Sequence, residues 1–125
     1  MYCHIEIHFK ISGQAGHGSL LLKNTVGEKL HYLLNKMMTF REHESKRLEC
    51  DPNLTIGDVT TVNLTTISGG VQSNVIPPFM QIGFDIRLAI TVDHDEFEKQ
   101  VIVIYVVLIN NNTYVINNNN KIFYF

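Results

Sequence analysis

The chain has 125 residues, which suits one domain and leaves little room for a second. Ten Lys+Arg against twelve Asp+Glu give a formal charge of −2, too balanced for a general nucleic-acid binder that works by neutralising phosphates. Hydrophobic residues at 45% and charged residues at 18% argue against wholesale disorder, and the longest apolar run, nine residues at 101–109, falls well short of the roughly 20 needed for a membrane-spanning helix.

The N-terminus enters an alternating pattern directly, with no basic region followed by an apolar stretch, so no secretory leader is expected. Two cysteines, Cys3 and Cys50, are too few for a disulfide scaffold, and a reducing, cytoplasmic setting follows as the default. Ile5, Ile7, Phe9 and Ile11 alternate with polar residues over 4–12 and predict a half-buried strand. The loop at 12–19 then carries three glycines, with His17 between Gly16 and Gly18. Thr25-Val26-Gly27-Glu28 has the capping-box pattern of a helix start. Val26, Leu30, Leu33, Leu34, Met37 and Phe40 make its core-facing stripe, with Lys29, Lys36, Arg41, Glu42, Glu44, Lys46 and Arg47 mostly facing elsewhere. This helix is expected to end before Asp51-Pro52.

The Thr- and Val-rich stretch 59–67 predicts a second strand, with Thr60, Val62, Leu64 and Thr66 on one face and Val59, Thr61, Asn63, Thr65 and Ile67 on the other. Gly69-Gly70 turns the chain. Met80, Ile82, Phe84, Ile86 and Leu88 then alternate with polar residues as a third strand following Pro77-Pro78. Asp93 is placed to cap a second helix running to about Ile102, with Phe97, Val101, Ile104, Tyr105 and Leu108 on its inner face. The β-branched run 101–109 fits a strand equally well. The Asn-rich segment 110–125 has no core-building period, but a short strand at 113–116 or 121–125 could close the sheet. The order β-α-β-β-α-(β) predicts an α+β, two-layer sandwich: an antiparallel sheet with two helices on one face.

Six histidines raise the question of a metal, but their spacing does not supply the three or four converging ligands of a zinc site. Gly13-x-x-Gly16-x-Gly18 matches neither phosphate-loop pattern. Three residues have alternatives that the residues alone leave open. His17 is an ordinary loop histidine or an imidazole donor. Asn74 is a turn former or an amide presented by the turn before Pro77-Pro78. Arg87 is one half of a surface ion pair with Asp85 or a two-pronged grip on a carboxylate.

Taken together, Gly13-Gln14-Ala15-Gly16-His17-Gly18-Ser19, the helix from Asn24-Thr25 to Phe40-Arg41-Glu42, and Gly69-Gly70-Val71-Gln72-Ser73-Asn74-Val75-Ile76-Pro77 with Phe84-Asp85-Ile86-Arg87 resemble one module. It is the lid, or dimerisation, domain of cytosolic aminoacylases, in the zinc metallopeptidase family that also holds carboxypeptidase-like amidohydrolases. The resemblance covers residues 2–100, so that 1–100 reads as the lid and 101–125 as a divergent apolar and Asn-rich tail. It implies a βαββαβ module that pairs with the lid of a second subunit. The parent reaction it implies is zinc-dependent hydrolysis of N-acyl-L-amino acids, with zinc ligands and a glutamate base on a separate domain. No motif for those ligands occurs in this chain, which is expected to bind no zinc itself and reads as a fragment. By the same resemblance His17 stabilises the oxyanion in the other subunit's site, while Asn74 and Arg87 bind substrate oxygens, Arg87 mainly the carboxylate. A non-catalytic dimerisation or interaction module is the rival reading.

Overall fold

The computed structural model describes residues 3–108, 115–116 and 120–124, with side-chain environments over 3–101. Strand β1 spans Cys3–Ser12, and the short β2 is Gly16–His17. Helix α1, Val26–Cys50, precedes β3 at Thr61–Gly69, the short β4 at Val75–Ile76 and β5 at Phe79–Leu88. Helix α2 is His94–Leu108, and β6 and β7 are Val115–Ile116 and Asn120–Tyr124. Five strands form one sheet in the order β3-β5-β1-β7-β6, while β2 and β4 make a separate two-stranded ribbon.

The alternation in β1 and β5 places Ile5, Ile7, Phe9 and Ile11 beside Ile82, Phe84, Ile86 and Leu88 on one buried face. Both helices cover that face. Val26, Leu33 and Met37 of α1 and Phe97 and Val101 of α2 complete the core, with Leu30, Leu34 and Phe40 packed at its margin. Phe9 meets Phe84 edge to face, and Phe40 meets Phe97 in the same way to join the helices, each pair with centroids 5.9 Å apart. Burying each such aliphatic or aromatic side chain contributes about 1.5–3 kcal/mol of transfer free energy. The expected α+β sandwich, antiparallel through β3, β5 and β1, is the fold of this chain.

The capping residues act as the sequence implied. Thr25 Oγ1 accepts the Glu28 N–H at 3.3 Å, and the Glu28 carboxylate reaches back to the Asn24 N–H at 3.0 Å. Gly69 and Gly70, with φ of 133° and 93°, take the turn that other residues resist.

Four features differ from expectation. A bulge between Leu64 and Thr66 resets β3, so Val62 and Leu64 face inward opposite Ile86 and Phe84 but Ile67, not Thr66, lies opposite Ile82. Helix α2 runs past Ile102 to Leu108, because packing of Phe97 and Val101 on the sheet outweighs the β preference of the following residues. Segment β7 pairs with β1 in parallel, and β6 pairs with β7 antiparallel. Glu44, assigned to the outer side of α1, is buried; its carboxylate accepts the Thr60 N–H at 2.7 Å and two bonds from Arg47 Nη1 at 2.7 and 2.8 Å. The inward facing of Ile104, Tyr105 and Leu108 lies outside the described side chains. So do residues 113–114 and 125 of the two tail strands and the asparagines at 110–112 and 117–119.

Candidate functional site

At the Ser12 end of β1 the chain crosses over the start of β5 and is held there by main-chain oxygens. Gly13 N–H donates to the Pro78 carbonyl at 3.0 Å, Gln14 N–H to the Asn24 carbonyl at 2.9 Å, and Lys29 Nζ to the Ser12 carbonyl at 2.7 Å. The loop thus directed forms β2, which pairs antiparallel with β4 so that His17 stands opposite Val75. One residue further on, Gly18 N–H donates to the Asn74 carbonyl at 2.7 Å. A Cβ on Gly18 would sit 3.0 Å from that oxygen, so a small residue is needed for the two segments to approach. His17 and Asn74, far apart in sequence, become neighbours on an exposed ridge.

The two side chains are presented differently. His17 Nδ1 accepts the Ser19 N–H at 3.2 Å and lies 2.7 Å from Ser19 Oγ, which leaves Nε2 directed away from the loop's own bonds. The Asn74 amide side chain has no hydrogen-bond partner among the described residues, while the main-chain carbonyl of Asn74 accepts the Gly18 N–H. Leu20, Leu21 and Val71 are exposed nearby in the same two loops.

Arg87 is not brought to that ridge. It lies on the polar face of β5, opposite His4 on one side and Thr61 on the other. It lies eight residue steps along β5 from Phe79 at the loop end, about 26 Å at the usual rise per residue. Its Nε and Nη2 donate to the two Asp85 oxygens at 2.7 and 3.1 Å, and His4 Nε2 is 3.1 Å from the same carboxylate. The Arg87 guanidinium holds the Asp85 carboxyl below its ordinary range against slight desolvation, with His4 adding to the effect. Asp85 in turn raises Arg87. The ion pair leaves Nη1 and one Nη2 hydrogen available, the edge that would fork a carboxylate.

Nothing in this arrangement fits a catalytic metal beside His17. Among the described residues, one group of three potential ligands converges: His94, Asp95 and Glu98, with ligand atoms within 4.8 Å of one another. That group is at the start of α2, beyond the Leu88 end of β5 and therefore at the opposite end of the sheet from the ridge. Among the described residues, no helix is long and apolar enough to cross a membrane.

The glycine-rich loop, the Asn74 turn and their pairing below a helix-covered sheet coincide with a known domain: the peptidase dimerisation domain family matches residues 3–104. The chain belongs to that family. Within it the chain is similar to human aminoacylase-1, 47% identical over 90 residues that make up 72% of this chain and 22% of the relative. It is also similar to the aminoacylase-1 of Dictyostelium discoideum, 39% identical over 108 residues covering 76% of this chain and 26% of that protein. The chain thus spans about a fifth to a quarter of the length of these aminoacylases.

Solved structures share the fold. A putative aminohydrolase from methicillin-resistant Staphylococcus aureus superposes with a TM-score of 0.59 at 24% identity, over 84% of this chain and 25% of that one. A metallo-carboxypeptidase from Sulfolobus solfataricus gives 0.54 at 12% identity, over 88% and 40%. This is accordingly a peptidase dimerisation domain, similar in sequence to the part of aminoacylase-1 that it covers.

Sequence reasoning passed over two groups in these surroundings. Ser19 is recognisable as a partner of His17 by its spacing alone, two residues on in a tight loop, whereas the His4 contact with Asp85 depends on a strand register that no local pattern reveals.

Proposed function

We propose that this domain is the lid and dimerisation part of a cytoplasmic N-acyl-L-amino-acid amidohydrolase. In this reading His17 supplies a hydrogen bond to the oxyanion formed when water attacks the amide, Asn74 binds a substrate oxygen and Arg87 grips the carboxylate. The β2–β4 pairing carries the reading, because it brings the exposed His17 and the exposed Asn74 onto adjoining segments at one end of the sheet. Such donors are suited to a reacting group brought to them from outside the chain. The reaction of the whole enzyme would be zinc-dependent hydrolysis, with the zinc and its glutamate base on another domain; this chain's described residues offer no fitting ligand set near His17.

The separation of Arg87 from His17 and Asn74 by most of a strand's length favours a dimer. One lid cannot close all three residues on one small amino acid, but two lids can contribute from opposite ends. Strand β3 forms an outer edge of the sheet, open to a second copy on one side among the described residues. That open edge also supports the second reading, a non-catalytic dimerisation module, and both readings expect self-association in sedimentation.

Complementation separates them. This domain, placed in a full-length enzyme with its zinc domain, is made once as His17→Ala and once with the zinc-site base removed. Each homodimer is expected to be nearly inactive, and mixing with subunit exchange is expected to restore one working site per heterodimer. Exchanged heterodimers as inactive as their parents would remove His17 from the chemistry and leave the interaction module.

A further inference from the structure

We propose that Ser19 is a positioning residue for His17, holding the imidazole as the tautomer with its proton on Nε2. The Ser19 main-chain N–H can only donate, and it points at Nδ1 from 3.2 Å. A ring nitrogen that accepts such a bond carries no proton, so in the neutral ring the proton is on Nε2. With Nδ1 already an acceptor, the Ser19 hydroxyl 2.7 Å away is also a donor. Two donors from one residue therefore converge on one ring nitrogen. The opposite nitrogen is left as an N–H donor on the exposed ridge beside Asn74.

The arrangement is economical in chain terms. The Gly18 N–H is spent on the Asn74 carbonyl, and Leu20 N–H closes a turn on the His17 carbonyl at 3.0 Å. That turn brings residue 19 back over residue 17, and Gly18 between them keeps the contact with Asn74 free of a side chain. Position 19 thus needs both its amide and a hydroxyl, and Thr is the conservative replacement for Ser. An alanine there keeps the weaker amide bond and loses the shorter one.

The relevance of this tautomer to turnover rests on the proposed oxyanion role of His17; the tautomer itself does not. The test is nitrogen NMR of the imidazole in the full chain, at about pH 8, above the ordinary imidazole range. In the unaltered protein the Nδ1 signal is expected in the unprotonated range and Nε2 in the protonated one. Ser19→Ala should lower the Nε2–H to Nδ1–H ratio by on the order of 3- to 10-fold, the worth of one hydrogen bond of ordinary strength. Ser19→Thr should restore it.

A ratio that Ser19→Ala leaves unchanged, or a starting population on Nδ1–H, would overturn the proposal, and both can be read without any activity. In the full-length enzyme Ser19→Ala is expected to lower kcat several-fold with KM unchanged, and to cause no further loss once His17 is alanine. If His17→Ala leaves kcat intact while the tautomer responds to Ser19 as expected, the oxyanion reading fails and the positioning of the ring stands.

Discussion

The two ends of the β1–β5 pair hold their polar residues by different means. At the Ser12–Phe79 end, main-chain acceptors fix the loops through Gly13, Gln14 and Gly18, and the side chains of His17 and Asn74 project free of ion pairs. At the Cys3–Leu88 end the side chains themselves are the fastening: Arg87 to Asp85, His4 to Asp85, and on the inner face Glu44 to Arg47 and to the Thr60 amide. Helix α1 spans both, from Val26 beside Gly13 to Glu44 beside Thr60. Main-chain fastening depends little on pH and salt and leaves whole side chains available, whereas ionic fastening engages part of each charged group and responds to both.

The largest expected effect is at the loop end. In a full-length enzyme His17→Ala should lower kcat by on the order of 10²- to 10³-fold, the usual loss for one oxyanion donor, with a smaller change in KM. Steady-state kinetics check it. Arg87→Ala is expected to show the opposite split, raising KM by about 10-fold or more through loss of charged hydrogen bonds to the carboxylate. Equal loss of kcat in both variants would erase the distinction between the ends.

Next comes the main-chain fastening itself. A Cβ on Gly13 would lie 2.6 Å from the Val26 nitrogen and 2.7 Å from the Asn24 oxygen, backbone atoms that cannot swing aside. Gly13→Ala should therefore destabilise the domain by about 1–3 kcal/mol, measured by denaturant unfolding.

Glu44→Gln tests the ionic end at similar or lower cost, about 1–3 kcal/mol, since it leaves Arg47 and the Thr60 amide without their anionic partner. Burial pushes the Glu44 carboxyl up, but the Thr60 amide and Arg47 outweigh it, and the net shift is downward. A folded-state value below the unfolded one gives stability that is full above the ordinary Glu range, about pH 4.3, and is lost as pH falls through the folded value. The acid limb of a stability–pH curve should accordingly flatten in Glu44→Gln.

Asp85→Asn is the smallest change. Its carboxyl is also lowered, chiefly by Arg87, so the sign with pH is the same. With Arg87 exposed, no more than about 1 kcal/mol is expected, and this should fade at high salt. A large, salt-independent loss there would mean that the two ends are fastened alike.

How much of this was legible in the residues follows from the range of each interaction. The strands at 3–12 and 79–88, the helix from Thr25 to Cys50 and the Gly69-Gly70 turn are local patterns, since period, cap and glycine each act within a few residues. His17, Asn74 and Arg87 stood out by type and by their place in a family pattern. Glu44 did not, because a glutamate on a helix reads as solvated until a distant amide, that of Thr60, is brought to it. Nor did the bulge at Leu64–Thr66 or the parallel pairing of Asn120–Tyr124 with β1, which depend on register between segments remote in the chain.

The sequence by itself determined the strands at 3–12 and 79–88, the helix at 26–50 with its apolar stripe, and which residues carry usable chemistry, because these follow from side-chain pattern and local backbone preference. Only the tertiary structure decided that His17 and Asn74 share one ridge while Arg87 stands about 26 Å of strand away, bound to Asp85. Strand pairing sets those distances, and pairing is a choice among distant partners that no single segment contains.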